Sequence, residues 1–288
     1  MDNINIYDVI LKRESCRDFS EEAPETYTLH ELQKYFSECN PLIKDIKVEL
    51  KFYNGGIAEQ IGHNAGYNGF FIKAPKYLLL FSEKKDHYIE NAGYLGQKMT
   101  LRMTQLGLSA CWITIDDAEE IRKEIAPESE LTPTVLIAMG YKNKEKTSVR
   151  LDIKSPSDVK MTARKNLAAP KISMNELVHY GKFTNNTFPA ETPYQVLDDA
   201  LHAVSVAQSF MNRQPYRIVL TDDCIYLVGY KDEMTGDNDQ KLNFGIAMFN
   251  FIAVMKSQIQ KGISWSFEPP NIDLALPDDY FYVAKCNI

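Results

Sequence analysis

One order of elements is written twice along this chain of 288 residues. A helix leads into paired strands, then a long helix, then a closing strand, once before residue 140 and again after residue 194. In the first pass Leu29, Leu32, Tyr35 and Phe36 recur at helical spacing, and Thr28 with Glu31 predicts a capping box. Val48, Leu50 and Phe52 alternate with charged residues, and Tyr77 to Phe81 is a continuous apolar run of strand length. A long helix is predicted from Asp86 to Leu106, a short one over 117–125, and strands at Cys111–Ile113 and Thr134–Met139. Residues 142–166, rich in Lys, Arg, Ser and Asp, read as a long connection. The second pass has a helix from Tyr194 to Phe210, and strands at Ile218–Leu220 and Ile225–Val228 around Thr221-Asp222-Asp223. A long helix from Leu242 to Gly262 and a strand at Phe281–Val283 complete it. Helices mixed with hairpin-type turns favour an α+β fold, in two parts, 1–182 and 183–288.

Composition removes several classes of function. A net charge of −7 opposes a general nucleic-acid role, which needs a basic face, yet leaves room for a small cationic pocket. The five cysteines form no C-x-x-C pair and the five histidines are scattered, so neither a disulfide framework nor a metal site is indicated. The N-terminus lacks a basic start with an apolar run, and no stretch reaches membrane-spanning length. The expected compartment is a reducing cytoplasm, with no membrane and no nucleic acid as partner.

Two clusters carry chemistry. The first, Lys12-Arg13-Glu14-Ser15-Cys16-Arg17-Asp18-Phe19, sets two guanidinium groups and a hydroxyl within five residues, a donor set that suits a phosphate. The second, Gln208-Ser209-Phe210-Met211-Asn212-Arg213-Gln214-Pro215-Tyr216, offers two side-chain amides that suit a heterocycle with mixed donor and acceptor edges. Each, taken alone, also reads as an ordinary polar loop.

Together they resemble the FMN-dependent nitroreductases. Arg-x-Ser-x-Arg-x-Phe resembles that family's phosphate-binding opening, and Ser-x-x-Asn-Arg-Gln-Pro-Tyr resembles its flavin-reaching motif, which usually ends in Trp. Gly107-Leu108-Ser109-Ala110-Cys111-Trp112-Ile113 resembles the strand entry after the family's long central helix. Gly140-Tyr141, followed by Lys160, Arg164 and Lys165, resembles the elements that complete the phosphate site. In the family the first two motifs lie a few dozen residues apart, and the flavin sits at a homodimer interface. Here almost 200 positions separate them, which a fused pseudo-dimer explains. Half one has Gly55-Gly56-Ile57 and Gly62-His63-Asn64-Ala65-Gly66 in place of a second Asn-x-Gln-Pro loop. Half two opens on Gly181-Lys182-Phe183-Thr184-Asn185-Asn186 in place of a second pair of arginines.

The resemblance implies one FMN per chain. Arg13, Ser15, Arg17 and Arg164 would hold its phosphate; Ser209, Asn212 and Gln214 would approach the ring or ribityl, with Asn68 a further ring contact. Backbone N–H groups near Thr114 and Ile115 would lie beside the flavin N5 atom, although the family often has Gly at this place. The implied reaction is ping-pong, in which NAD(P)H reduces FMN and a small electron-poor acceptor, a nitroaromatic or quinone, then takes the electrons. Alternatives are a flavin reductase for another acceptor and a degenerate flavin-binding protein without turnover. Cys16 and His63 read as structural, while Tyr67, Phe70 and Phe71 are either an apolar wall over the flavin or core. The chain is expected as a monomeric pseudo-dimer or a higher homo-oligomer.

Overall fold

The computed structural model describes residues 5–143, 149–155, 158–163, 169–184, 195–259 and 262–288. The chain divides into two compact units, Lys12–Ala168, and Ala169–Ile288 together with Met1–Leu11. The opening helix α1 (Ile6–Lys12) thus belongs almost wholly with the later unit. Its Val9 and Ile10 are buried.

The larger unit runs α2 (Thr26–Ser37), β1 (Val48–Asn54), α3 (Ile57–Ile61), β2 (Lys76–Ser82), α4 (Tyr88–Gln105), β3 (Ser109–Ile113), α5 (Ala118–Ile125) and β4 (Thr132–Gly140). Its four strands form an antiparallel sheet in the order β1-β2-β4-β3. β4 is buried at every position because it is central and covered on both faces. The alternation of side chains along a strand sends Tyr77, Leu79 and Phe81 to one face, where they meet Ile57, Ile61 and Ile121 of α3 and α5. The long helix α4 contacts β2, β3 and β4. Gly96 permits its close approach: a Cβ there would lie 2.6 Å from the Trp112 ring and 3.2 Å from Val135.

Helix α2 starts at Thr26 with Glu25 at its N-cap and no side-chain cap, so the capping box predicted from Thr28 and Glu31 does not form. The helix begins three residues earlier than that motif requires, and Glu31 pairs with Arg102 of α4 instead. At α5 a cap is present: Asp117 accepts from the N–H groups of Glu119 and Glu120, both at 3.0 Å. Within the stretch read as a long connection, β5 (Val149–Ser155) and β6 (Asp158–Ala163) form a two-stranded antiparallel hairpin.

The smaller unit continues with α6 (Met174–Leu177), β7 (Val178–Tyr180), α7 (Gln195–Ser205), β8 (Tyr216–Leu220), β9 (Cys224–Tyr230), α8 (Asp237–Gln258), β10 (Trp265–Ser266) and β11 (Tyr280–Asn287). Its sheet has the order β10-β11-β9-β8-β7. Read from β8, the antiparallel strands run first, second, fourth, third, the same order as in the larger unit. β7 adds to the edge in parallel with β8, and this pairing draws residues 169–182 into the smaller unit. The division therefore falls at 168/169 rather than at 182/183. α8 is apolar nearly all round, with every residue from Asn243 to Ile252 buried, and it packs against α7. The other sheet face, built on Val219, Tyr226 and Val228, is covered by Phe183 and Leu274 from non-helical segments.

Among the described residues no helix is long and apolar enough to cross a membrane, and no group of His, Cys, Asp and Glu could hold a metal ion. The five cysteines are free thiols.

Candidate functional site

In the larger unit the cationic segment is pinned in extended form along the edge strand β3. Ser15 pairs in parallel with Ala110, and the Cys16 N–H donates to the Ala110 carbonyl at 2.9 Å. Farther on, Phe19 pairs with Lys142, the Ser20 N–H donates to Tyr141 at 2.9 Å, and the Asn143 N–H donates to Asp18 at 3.1 Å. The segment is thereby stretched from β3 to the end of β4. Gly140 makes room for it, since a Cβ at that position would fall 2.7 Å from Pro75 and 3.3 Å from Phe19.

The charges on this segment are unevenly partnered. Glu14 is taken by Lys142. Among the described residues neither Arg13 nor Arg17 has a carboxylate partner, and Arg13 makes only a long bond of 3.4 Å to Ser15 Oγ. Both guanidinium groups act on the Cys111 thiol, so they converge on one stretch of β3. Arg13 keeps part of its surface accessible, but its guanidinium is set deep among protein atoms. Burial chiefly, and the like charge of Arg17 in addition, pull it down to about 10. Burial also pushes the Cys16 thiol up to about 11 and raises Cys111, which leaves both as packing groups rather than nucleophiles.

Beyond the far end of β3 the chain runs against residues 64–66. The Gly66 N–H donates to Thr114 O at 2.8 Å and the Asp116 N–H to Asn64 O at 2.9 Å, which makes Ala65 and Ile115 a pair without hydrogen bonds between them. In such a pair the N–H groups point away from the neighbouring strand. The Ile115 N–H accordingly has no partner among the described residues. From Ala110 to Ile115 is five residues of extended chain, about 16 Å. The cationic segment and this open donor flank the two ends of that span.

Asn68, offered by the resemblance as a ring contact, sits in a tight turn. With φ of 46° at Asn68 and 80° at Gly69, and paired bonds between Tyr67 and Phe70, these two residues form the tight turn of a small hairpin. Both central residues lie at positive φ, the conformation for which Asn-Gly is favoured. Asn68 is exposed at the tip. Phe71 packs into the core beside Tyr77, with ring centroids 5.6 Å apart. His63 is exposed and paired with Glu124 at 3.1 Å.

The loop Ser209–Gln214 belongs to the smaller unit, between α7 and β8. Phe210–Asn212 forms one 3-10 turn, and Met211, Asn212 and Gln214 all have positive φ, of 48°, 58° and 48°. Three such non-glycine residues within four positions persist only where their surroundings hold them. Gln214 is buried, its Oε1 accepting from the Ile172 N–H at 2.9 Å and its Nε2 donating to Ser205 O. Asn212 Nδ2 donates to Pro170 O at 2.7 Å. Ser209 Oγ accepts from the Gln214 N–H at 2.9 Å. The two amides expected to read a heterocycle therefore spend most of their hydrogen-bonding capacity inside the protein. The partners at 170–172 carry no motif or periodic pattern, so sequence reasoning had no signal by which to find them. Arg164 and Lys165 lie outside the described residues.

In strand order, the position of this loop corresponds in the larger unit to the connection from α2 to β1, residues 38–47, while the glycine-rich stretch 55–66 lies between β1 and β2.

Comparison with known proteins gives one family and one fold. A family model described as "Putative TM nitroreductase" matches residues 5–254. The crystal structure of a "putative nitroreductase" from Thermotoga maritima is similar over 100% of this chain and 95% of its own, at 14% identity and a TM-score of 0.59. A nitroreductase family protein from Clostridium novyi aligns with 49% of this chain and 87% of its own, at 16% identity and a TM-score of 0.43. An FMN-dependent nitroreductase from Clostridium difficile aligns with 49% of this chain and 89% of its own, at 21% identity and a TM-score of 0.42. No curated protein matches this chain.

Proposed function

This chain belongs to the nitroreductase family whose model covers residues 5–254, and from that premise we propose that it binds one FMN and uses it to pass electrons from NAD(P)H to a small electron-poor acceptor. FMN, when bound, supplies the redox chemistry by accepting a hydride and giving up electrons. One observation carries the proposal: two arginines near Cys111, one of them desolvated, stand without carboxylate partners among the described residues on the segment pinned beside β3, and past the far end of β3 a backbone donor is left open. Burying cations without partners is unfavourable unless an anion meets them. An elongated ligand with a phosphate at one end and a hydrogen-bonding ring at the other suits that donor set.

Arg13 and Arg17 neutralise the phosphate in this reading, and Ser15 adds a hydroxyl donor. The Ile115 N–H donates toward the ring where negative charge develops on reduction. The Ser209–Gln214 loop is assigned to the same flavin by the family resemblance. The stoichiometry of one follows from the single Arg-x-Ser-x-Arg segment in the sequence, and from the view that the two units descend from one fused ancestral pair. Their common strand order supports that view.

The deciding experiment is the absorption spectrum of the purified protein with quantitation of the released chromophore. Oxidised-flavin bands with about one FMN per chain are expected. A colourless protein that takes up no added FMN overturns the proposal, and two FMN per chain overturns the single site. NAD(P)H oxidation with menadione then separates a reductase from a flavin binder without turnover, because only the former consumes reductant.

A further inference from the structure

Three consecutive residues, Pro170, Lys171 and Ile172, engage both amides of the Ser209–Gln214 loop. Pro170 O accepts from Asn212 Nδ2 at 2.7 Å, Lys171 Nζ donates to Asn212 Oδ1 at 2.7 Å, and the Ile172 N–H donates to Gln214 Oε1 at 2.9 Å. Lys171 Nζ also donates to Ala207 O at 2.8 Å, just past the end of α7. Its cation therefore joins the helix terminus, where a positive charge is favoured, to the side chain of a residue with left-handed backbone. The start of the loop is held from α8, where Asn243 Oδ1 accepts from the Phe210 N–H at 3.1 Å.

What the loop leaves open is main chain. Among the described residues the Met211 N–H and the carbonyls of Met211 and Asn212 have no partner. Asn243 adds an independent sign: its Nδ2 is buried, has no hydrogen-bond partner, and belongs to the amide that bonds Phe210. The residue is only 3% exposed, and a buried donor left unmet in this way calls for a partner from outside the chain, a water or a ligand atom.

We infer that Lys171 is a positioning residue that preforms the Ser209–Gln214 loop, so that the loop meets its ligand through main-chain groups rather than through the Asn212 and Gln214 amides. The inference rests on the flavin reading for the identity of the ligand. The brace itself does not depend on that reading. Holding three residues at positive φ in advance removes an ordering cost from binding. Lys171 touches no reacting atom in this scheme and acts through Asn212.

The test compares wild type with Lys171→Met, which keeps the apolar stem, and Lys171→Arg, which keeps the charge. FMN affinity is read by quenching of flavin fluorescence, the flavin midpoint potential by dye equilibration, and backbone exchange by mass spectrometry on the flavin-free proteins. K171M should bind FMN about tenfold more weakly, shift the midpoint potential and exchange faster over residues 210–216, while K171R recovers most of the affinity. A K171M protein equal to a flavin-binding wild type in affinity and potential overturns the inference. Unchanged exchange over 210–216 overturns the brace whether or not FMN binds. Wild type that takes up no FMN overturns the flavin reading and the ligand half of the inference, and faster exchange in flavin-free K171M would still establish the brace.

Discussion

Replacing Arg13 and Arg17 together by Met should move ligand affinity and protein stability in opposite directions. In the absence of ligand the pair is a liability, since neither guanidinium meets a carboxylate among the described residues and burial pulls Arg13 down to about 10. A base whose folded value lies below its unfolded value penalises the folded state at every pH where it is charged, including neutral pH. Discounted for the part of Arg13 still in contact with solvent, that penalty is about 1 kcal/mol. Met retains the apolar stem, so the flavin-free double variant should be as stable as wild type or more stable by up to about 1 kcal/mol, a rise of about 2–4 °C in Tm. Affinity should fall steeply. Charge-assisted hydrogen bonds contribute about 1.5–3 kcal/mol each, so losing two weakens FMN by about 10²- to 10⁴-fold. Fluorescence titration and thermal melting on the same flavin-free sample read both quantities. An FMN Kd within fivefold of wild type refutes the phosphate role. A loss of more than about 2 kcal/mol without ligand refutes the electrostatic reasoning, because it would make the arginines structural braces.

Asp232 lies in the smaller unit under a fork of bonds from Arg213 and a further one from Thr235. Burial acts to raise its carboxyl, but these partners outweigh it and hold the group below its usual 3.8. Asp232→Asn should therefore cost about 1–3 kcal/mol at pH 7. Because the folded value is the depressed one, that contribution is complete above the unfolded value and fades as pH falls through the folded one, so the gap between wild type and variant in urea melts should narrow at pH 3. A gap equal at both pH values contradicts the assignment. Gly96→Leu sets the gain in helix propensity, about 1 kcal/mol, against a Cβ placed 2.6 Å from the Trp112 ring, and should be destabilising overall by about 1–3 kcal/mol with altered Trp fluorescence. A more stable variant would show that α4 can move off β3 at little cost. Gly69→Val meets no neighbour within 4 Å yet must adopt φ near +80°, so it should lose about 1–2 kcal/mol from backbone strain alone, measured by chemical denaturation. A loss below about 0.3 kcal/mol argues against the Asn-Gly turn.

What could be read in advance was whatever depends on periodicity. Tyr77, Leu79 and Phe81 share one face of β2 because strand side chains alternate, and α4 forms within the span predicted from Asp86 to Leu106. Single long-range contacts were not legible. Tyr7 meets His202 at 2.7 Å across 195 positions, within the unit that α1 joins, and neither residue belongs to a pattern. β7 has three residues, too few for alternation to register. The capping box at Thr28 failed for a local reason, the earlier start of α2. Asn68-Gly69 was legible as a turn, since the dipeptide is a strong turn signal. At the candidate site the sequence supplied residue types, but the state of each depends on its neighbours. Arg13 lacks a carboxylate partner while Lys142 pairs with Glu14, and the amide of Gln214 is occupied because Ile172 reaches it.

On the proposed single-flavin reading, the two units keep one frame and divide its chemistry. Each arranges four antiparallel strands in the same first, second, fourth, third order, with a long helix between the second and third. That frame needs only alternating apolar side chains and an apolar helix, so it tolerates almost any change that preserves the pattern. The cover and the loops carry no such protection. α3 and α5 cover one face in the larger unit, where Phe183 and Leu274 serve in the smaller. The connection from the first helix to the first strand is residues 38–47 in one unit and holds the strained Ser209–Gln214 turn in the other. The larger unit has the desolvated arginine segment on its β3 edge, while β10 at the corresponding position is two residues long and pairs through Trp265 and Ser266. A strand that short has little room to pin an extended cationic segment. Divergence in the binding parts at constant frame is the outcome expected when one ligand needs a single copy of each part and the second copies are free to drift.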